Sequence, residues 1–192
     1  MRSTGDFDAG TRDCGPFFCL LSFYLRGGTL ATIPNAHAVF VGDALFGEQE
    51  YVAEIRRQVQ RLGLEGRVHF LGFRRDLPRL MRAVDVVLHT AEAPEPFGRV
   101  ILEGMLASRP VVAARAGGAV ELVQDGVTGL LVAPGDVPAF SAAVASLLND
   151  PGRRAALGRA GQERANRDFS VDAMLAGVTA EISAAVGDER RS

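Results

Sequence analysis

The sequence predicts an α/β domain built on a doubly wound parallel sheet. Three observations carry this prediction: short, continuous runs of Val, Leu and Phe; helical stretches between those runs; and glycine-bearing loops where strand passes to helix. Continuous apolar runs, as opposed to alternating ones, belong to strands whose two faces are both covered by helices.

Taken in order, "HAVFVG" (37–42) ends in Gly42 and predicts a buried strand. Tyr51, Val52, Ile55, Val59 and Leu62 then recur at helical spacing among charged residues, and Gly63 supplies a stop. "RVHFLGF" (67–73) is the second strand. Leu77, Leu80, Met81 and Val84 suggest a short helix, with Asp76 as its cap. "DVVLHT" (85–90) is the third strand, 98–107 a helix, and "PVVAA" (110–114) the fourth strand. A Gly117-Gly118 loop and a short helix around Glu121 lead to the fifth strand, "GLLVAPGD" (129–136). Three alanine-rich helices follow at 137–148, 151–167 and 171–186. Pro151 suits a first helical turn and Ser170 a cap. These three helices read as a packing layer without chemistry.

At 192 residues the chain has room for one compact α/β domain and is short for two. The formal charge of −2, from 21 basic and 23 acidic residues, argues against binding nucleic acid by bulk electrostatics. Cys14 and Cys19 form neither a disulfide framework nor a zinc-site spacing, so a reducing cytoplasm is the expected home. The apolar run "FFCLLSFYL" (17–25) is nine residues long, less than half of the ~20 that a membrane span needs, and no transmembrane segment is expected. Asp6, Asp8 and Asp13 ahead of it do not suit a signal peptide, and a buried strand is the preferred reading. Residues 1–33 are set apart as atypical or partly disordered, 34–187 form the domain, and 188–192 fray.

The chemistry concentrates in "EAPEPFGRVILEGMLASRPVV" (92–112). Glu103 is the lone charge in an otherwise apolar stretch, 100–107, so it must face water, a cation or a hydrogen-bonding ligand. Pro96 forces the helix to start near Phe97 or Gly98. The first N–H groups of that helix are unpaired and point toward the ligand edge of the sheet, where they attract an anion, phosphate above all. A carboxylate beside a phosphate suits a neutral polyol; two ribose hydroxyls can donate to one such group. Glu95, in the loop above the helix start, can accept from a sugar on the far side. The arrangement invites a nucleotide-sugar, with diphosphate in the middle and a carboxylate at each end. The alternative is an ordinary surface pair between Arg99 and Glu103, four residues apart.

The stretch "PEPFGRVILEGMLASRPVVAARAGGAVELVQDGVTGLLVAPGD" resembles the donor-binding segment of the retaining GT-B glycosyltransferases. The family motif (Glu, any residue, Phe-Gly, four residues, Glu) is complete here as Glu95, Phe97, Gly98 and Glu103. Gly117, Gly118 and Glu121, then Asp125-Gly126, Thr128-Gly129 and "LLVAPGD", match downstream; "VFVGDA", "VHFLGF" and "DVVLHT" match upstream. The resemblance covers about 36–169 and implies a Rossmann-like fold, one half of a GT-B enzyme with C-terminal helices.

The resemblance implies roles residue by residue. Glu103 would bind the donor ribose, and Glu95 would touch the transferred sugar. Backbone amides near Phe97, Gly98 and Arg99 would meet the diphosphate and sugar. The Gly72-Phe73 loop would border the base, with Gly42 nearby, and Gly117 and Gly118 would lie at the cleft edge. For Glu121, which the motif also matches, an ordinary structural part is the stronger expectation: accepting from backbone N–H groups at its own helix start. The family is metal-independent and needs no cofactor, the nucleoside-diphosphate sugar being a substrate. His37, His69 and His89 are scattered without metal-ligand spacing. His37 and His69 are expected to pack within strands, and His89 to pack in the core or rim the pocket.

Two departures stand out. A GT-B enzyme has two Rossmann-like domains; the acceptor half would come from a missing domain or a separate chain. The family's Arg, four residues, Lys pattern, which neutralises the leaving diphosphate, is absent, because the sequence contains no lysine and only Arg26 stands in the region. Losing that cation removes several kcal/mol of barrier stabilisation. The leading expectation is thus the donor-binding half of a retaining hexosyltransferase. The alternatives are a non-catalytic nucleotide-binding module or inactive fragment and, less well matched by the full motif, a sugar-nucleotide epimerase.

Overall fold

Val86, Val87 and Leu88 are consecutive and all fully buried, which a sheet permits only when both of its faces are covered. In the computed structural model, which describes residues 17–20, 30–33, 35–42, 49–91 and 95–189, the sheet is indeed enclosed. The elements run β1 (Phe17–Leu20), β2 (His37–Phe40), α1 (Gln49–Arg61), β3 (Val68–Phe70), α2 (Leu77–Ala83), β4 (Val86–His89) and α3 (Arg99–Leu106). Then follow β5 (Val111–Ala114), α4 (Ala119–Leu122), β6 (Leu130–Val132), α5 (Val137–Leu148), α6 (Pro151–Asp168) and α7 (Val171–Glu189).

All strand pairs are parallel, and the order across the sheet is β3-β2-β1-β4-β5-β6. The strand alternation divides the core in two. Val86, Leu88 and Val112 meet Phe140, Val144 and Leu147 of α5 on one face. Val87, Val111 and Ala113 meet Met81 of α2, Ile101 and Met105 of α3, and Leu122 of α4 on the other. Among the described helices, none is singly long and apolar enough to cross a membrane.

Each of the five strands expected from residue 37 onward forms within its predicted stretch, and the helix expected at 137–148 has those bounds. Pro151 opens α6 and Ser170 Oγ accepts from Ala173 N at 3.1 Å, as read from the sequence. One boundary needs correction. The expected domain, 34–187, leaves out the run at 17–25, yet β1 lies within the sheet, between β2 and β4, in keeping with the buried-strand reading of that run. Periodicity reports that a run is apolar and short; it carries no information on which neighbours the strand will take.

A second correction concerns Asp76. Its side chain does not cap α2; both carboxylate oxygens accept from Arg74, Nε and Nη2 each at 2.8 Å. A two-pronged guanidinium two residues away outcompetes a single backbone N–H. His37 and His69 do sit on adjacent strands, where they stack and share a 3.1 Å hydrogen bond. Along α7, by contrast, Val171, Met174, Leu175, Val178, Ile182 and Val186 are all exposed.

Several residues of the downstream motif serve this architecture. Asp125 Oδ1 accepts from Leu131 N at 2.9 Å while its other oxygen pairs with Arg115. Thr128 Oγ1 accepts from Gln124 N at 2.8 Å. Gly129 has no room for a side chain, since a Cβ there would lie 2.7 Å from the Val111 carbonyl oxygen. Together they bind the β6 edge to β5.

Candidate functional site

The chain reverses its direction of travel across the sheet between β1 and β4. From β1 it steps outward to β2 and β3; from β4 it steps the other way to β5 and β6. Such a switch opens a crevice at the carboxyl ends of the two central strands. The loop leaving β4 enters that region and delivers α3.

The start of α3 is shaped by Gly98, which caps it in the left-handed region at φ 77°. No side chain caps the helix, and its first internal bond runs from Ile101 N to Gly98 O at 2.9 Å. The N–H groups ahead of that bond have no partner inside the helix, and the helix dipole adds positive potential there. A cleft of about 630 Å³ opens at this end. Glu95, Pro96, Phe97, Gly98, Arg99, Val100 and Glu103 line it, with Leu77 of α2 opposite.

Glu103 is half-buried on the cleft wall. Burial pushes its carboxyl above the usual carboxylate range, and the Arg99 charge only partly opposes this. No hydrogen bond or ion pair to a described residue engages its side chain, so the Arg99–Glu103 surface pair does not form. Its oxygens are available to a ligand.

Of the residues singled out in the sequence, Glu95, Phe97, Gly98, Arg99 and Glu103 come together in this one cleft. Gly117 and Gly118 do not line it. They stand behind the loop: Gly118 N donates to Glu95 O at 2.9 Å, and a Cβ on Gly117 would lie 2.2 Å from the same oxygen. The β5 loop is thus a backrest for residues 95–97. Gly42 and Gly72, at the ends of β2 and β3, are joined by a 2.9 Å bond from Gly42 N to Gly72 O. Neither they nor the exposed Phe73 line the cleft. Glu121 makes no side-chain bond at the start of α4; its carbonyl accepts from Arg164 Nη2 at 2.8 Å. Arg26 lies outside the described residues, and among those described no cluster of three or more His, Cys, Asp or Glu is placed to hold a metal.

The sequence reading missed Leu77, whose place depends on how α2 packs beside α3. It left His89 open between core and rim. His89 closes β4, is 3% exposed, and brings Nε2 to 3.2 Å from Glu95 Oε2. Its position at the carboxyl end of a central strand was the available signal.

Residues 28–164 match the family model of the group 1 glycosyl transferases. The chain belongs to that family. Family relatives include the lipopolysaccharide core biosynthesis glycosyltransferase LpsE of Rhizobium meliloti, 32% identical over 83% of this chain and 45% of its own length. The D-inositol 3-phosphate glycosyltransferase of Salinispora tropica is 40% identical over 67% of this chain and 27% of its own. Among solved structures, Anabaena HepE in complex with UDP and glucose superposes with a TM-score of 0.82 at 42% identity, covering 89% of this chain and 49% of HepE. HepE has also been solved with UDP-glucose. The chain therefore spans half or less of these relatives' length. The C-terminal domain of the group 1 protein LpcC from Francisella tularensis shares the fold, with a TM-score of 0.73 at 22% identity, and is covered over 92% of its length.

Proposed function

We propose that this chain is the donor-binding half of a retaining, metal-independent glycosyltransferase. It holds a nucleoside-diphosphate sugar; completed by an acceptor domain or separate chain, it transfers a hexosyl unit and releases the nucleoside diphosphate. The observation that carries the reading is the meeting of Glu95, Gly98, Arg99 and Glu103 in one cleft at an uncapped helix start. UDP is the nucleotide to try first, because HepE, 42% identical, has been solved with it. The N–H groups of α3 would face the diphosphate, whose charge grows as the sugar departs. Glu103 would accept from ribose hydroxyls and Glu95 from the sugar. The cysteine usage supports a cytoplasmic setting.

Glu103→Ala is expected to weaken UDP-sugar binding by about 10- to 100-fold, the loss of charge-assisted hydrogen bonds. Glu121→Ala is expected to stay within about 2-fold, since that side chain is exposed and does not line the cleft. Calorimetry decides; equal losses in the two variants refute the ribose role.

The same carboxyl makes a pH prediction. A carboxyl raised on folding favours the protonated native state, so its stabilising contribution is full below the unfolded value of 4.5 and is lost as pH climbs through the higher folded value. Glu103→Gln is therefore expected to raise the Tm of the ligand-free chain at neutral pH, with the gain vanishing in acid. A gain that persists below pH 4 counts against burial as its source.

A second reading, a non-catalytic nucleotide-binding module, is favoured by the absence of lysine from the sequence. Turnover separates the two once an acceptor half is supplied: sugar transfer supports the enzyme, and tight UDP binding without transfer supports the module.

A further inference from the structure

His89 is buried at the end of β4, and neither of its ring nitrogens makes a hydrogen bond to a described residue. Buried polar atoms left without partners are rare in folded proteins, and each calls for a reason. The reason stands 3.2 Å away. Oε2 of Glu95 is within ion-pair reach of Nε2 but not aligned for a hydrogen bond, and the Glu95 side chain is 47% exposed. The ring itself is fixed: it extends a strand whose other residues, Val86, Val87 and Leu88, are fully buried. It also lies directly under the helix start, since a Cβ on Gly98 would sit 3.9 Å from Nε2. A rigid imidazole thus underlies a mobile class of side chain, the exposed glutamate that faces the cleft.

We infer that His89 is a positioning residue for Glu95: the ring holds one carboxylate oxygen, so that the other is presented to the hydroxyls of the transferred sugar. This rests on the donor-site reading above. A small rotation of Glu95 aligns the bond and satisfies the buried nitrogen at the same time. An exposed glutamate loses rotamer freedom when it grips a ligand; an anchor on a buried ring removes part of that loss before the sugar arrives. The nucleotide portion, which meets α3 and Glu103, gains nothing from His89. The residue therefore acts on the sugar and leaves the nucleotide alone.

The test measures Kd for UDP and for UDP-glucose on the full chain. His89→Leu is expected to leave UDP within about 2-fold and to weaken UDP-glucose by about 10-fold; His89→Gln, which keeps an N–H in the same place, recovers most of the loss. In a Glu95→Ala background, His89→Leu has no further effect, because the group it positions is gone. Equal losses for both ligands, or full additivity with Glu95→Ala, overturn the proposal. A ligand-free measurement guards against a misfolded His89→Leu protein. Glu95→Gln alters only an exposed side chain and is expected to shift the ring nitrogen resonances of His89 at neutral pH, while those of His37 and His69 stay in place. Unmoved His89 resonances also overturn it. If the unsubstituted chain binds neither UDP nor UDP-glucose, the donor-site reading falls, and the resonance shift still reports whether His89 engages Glu95.

Discussion

Gly118→Ala is expected to cut nucleotide-sugar binding by about 100-fold while the domain stays folded, the loss associated with a misplacement of roughly 1 Å in a positioned group. The added Cβ would lie 2.6 Å from the Phe97 carbonyl oxygen and 2.7 Å from both Phe97 Cα and the Pro96 oxygen. All three are backbone atoms, so no side-chain rotation relieves the clash. The loop at 95–97 is exposed and must retreat, carrying Glu95 and the start of α3 with it. Gly117→Ala compounds the problem, because its φ of 53° is left-handed and disfavours any Cβ by about 1–2 kcal/mol before the 2.2 Å contact with Glu95 O is counted. Calorimetry with UDP-glucose, alongside thermal unfolding, checks both variants. Binding within 3-fold of the original by Gly118→Ala rules out the 95–97 loop as part of the donor site.

The second large effect concerns stability, and it reverses the usual rule for glycine in helices. Helix propensity alone says that Gly→Ala stabilises an interior position by about 1 kcal/mol. At Gly158 of α6, however, a Cβ would lie 2.3 Å from the Ser108 carbonyl oxygen and 2.9 Å from its carbon. Ser108 is itself held at φ 57°, so the turn between α3 and β5 has little room to yield. Overpacking wins: Gly158→Ala is expected to destabilise by about 2–3 kcal/mol net. In a domain of this size that lowers Tm by about 5–10 °C. Gly177 of α7 provides the control, with nothing within 4 Å of its would-be Cβ. Gly177→Ala is expected to stabilise by about 0.5–1 kcal/mol. Differential scanning calorimetry reads both signs; a Tm rise in Gly158→Ala refutes the close approach of α6 to Ser108.

These two glycines also mark what a sequence conceals. Apolar runs and helix caps are local properties, and so the strands from His37 to Val132 and the bounds of α5 were legible. The Glu95, Phe97, Gly98, Glu103 string was legible for the same reason: one loop and one helix turn carry it into a single cleft. Contacts that depend on a choice among several partners, most of them between distant segments, were not. Gly104 looks like a weak point in the middle of α3, yet its Cβ would meet Val87 and Val111 at 3.1 Å, so it sets how closely the helix lies on β4 and β5. Gly117 and Gly118 suggested a cleft edge, but nothing local showed that they would bear on residues 95–97, which line the cleft. Asp76 suggested a cap and was claimed by Arg74. In each case the decisive partner is a choice among competitors that the one-dimensional pattern does not rank.

The place of β1 has a consequence for assembly. It is the first of the described strands in the sequence, yet its neighbours on the two sides are β2 and β4. One side stays unpaired until Val86–His89 has been translated, and pairing across such a gap is slow because a long loop must close first. Were β1 lost by proteolysis, the sheet would part into a β3-β2 pair and a β4-β5-β6 trio. Each piece would expose an apolar parallel edge, the kind that recruits foreign strands. Expression trials that compare chains begun just before and just after Phe17–Leu20 therefore probe whether the soluble yield depends on this one short segment.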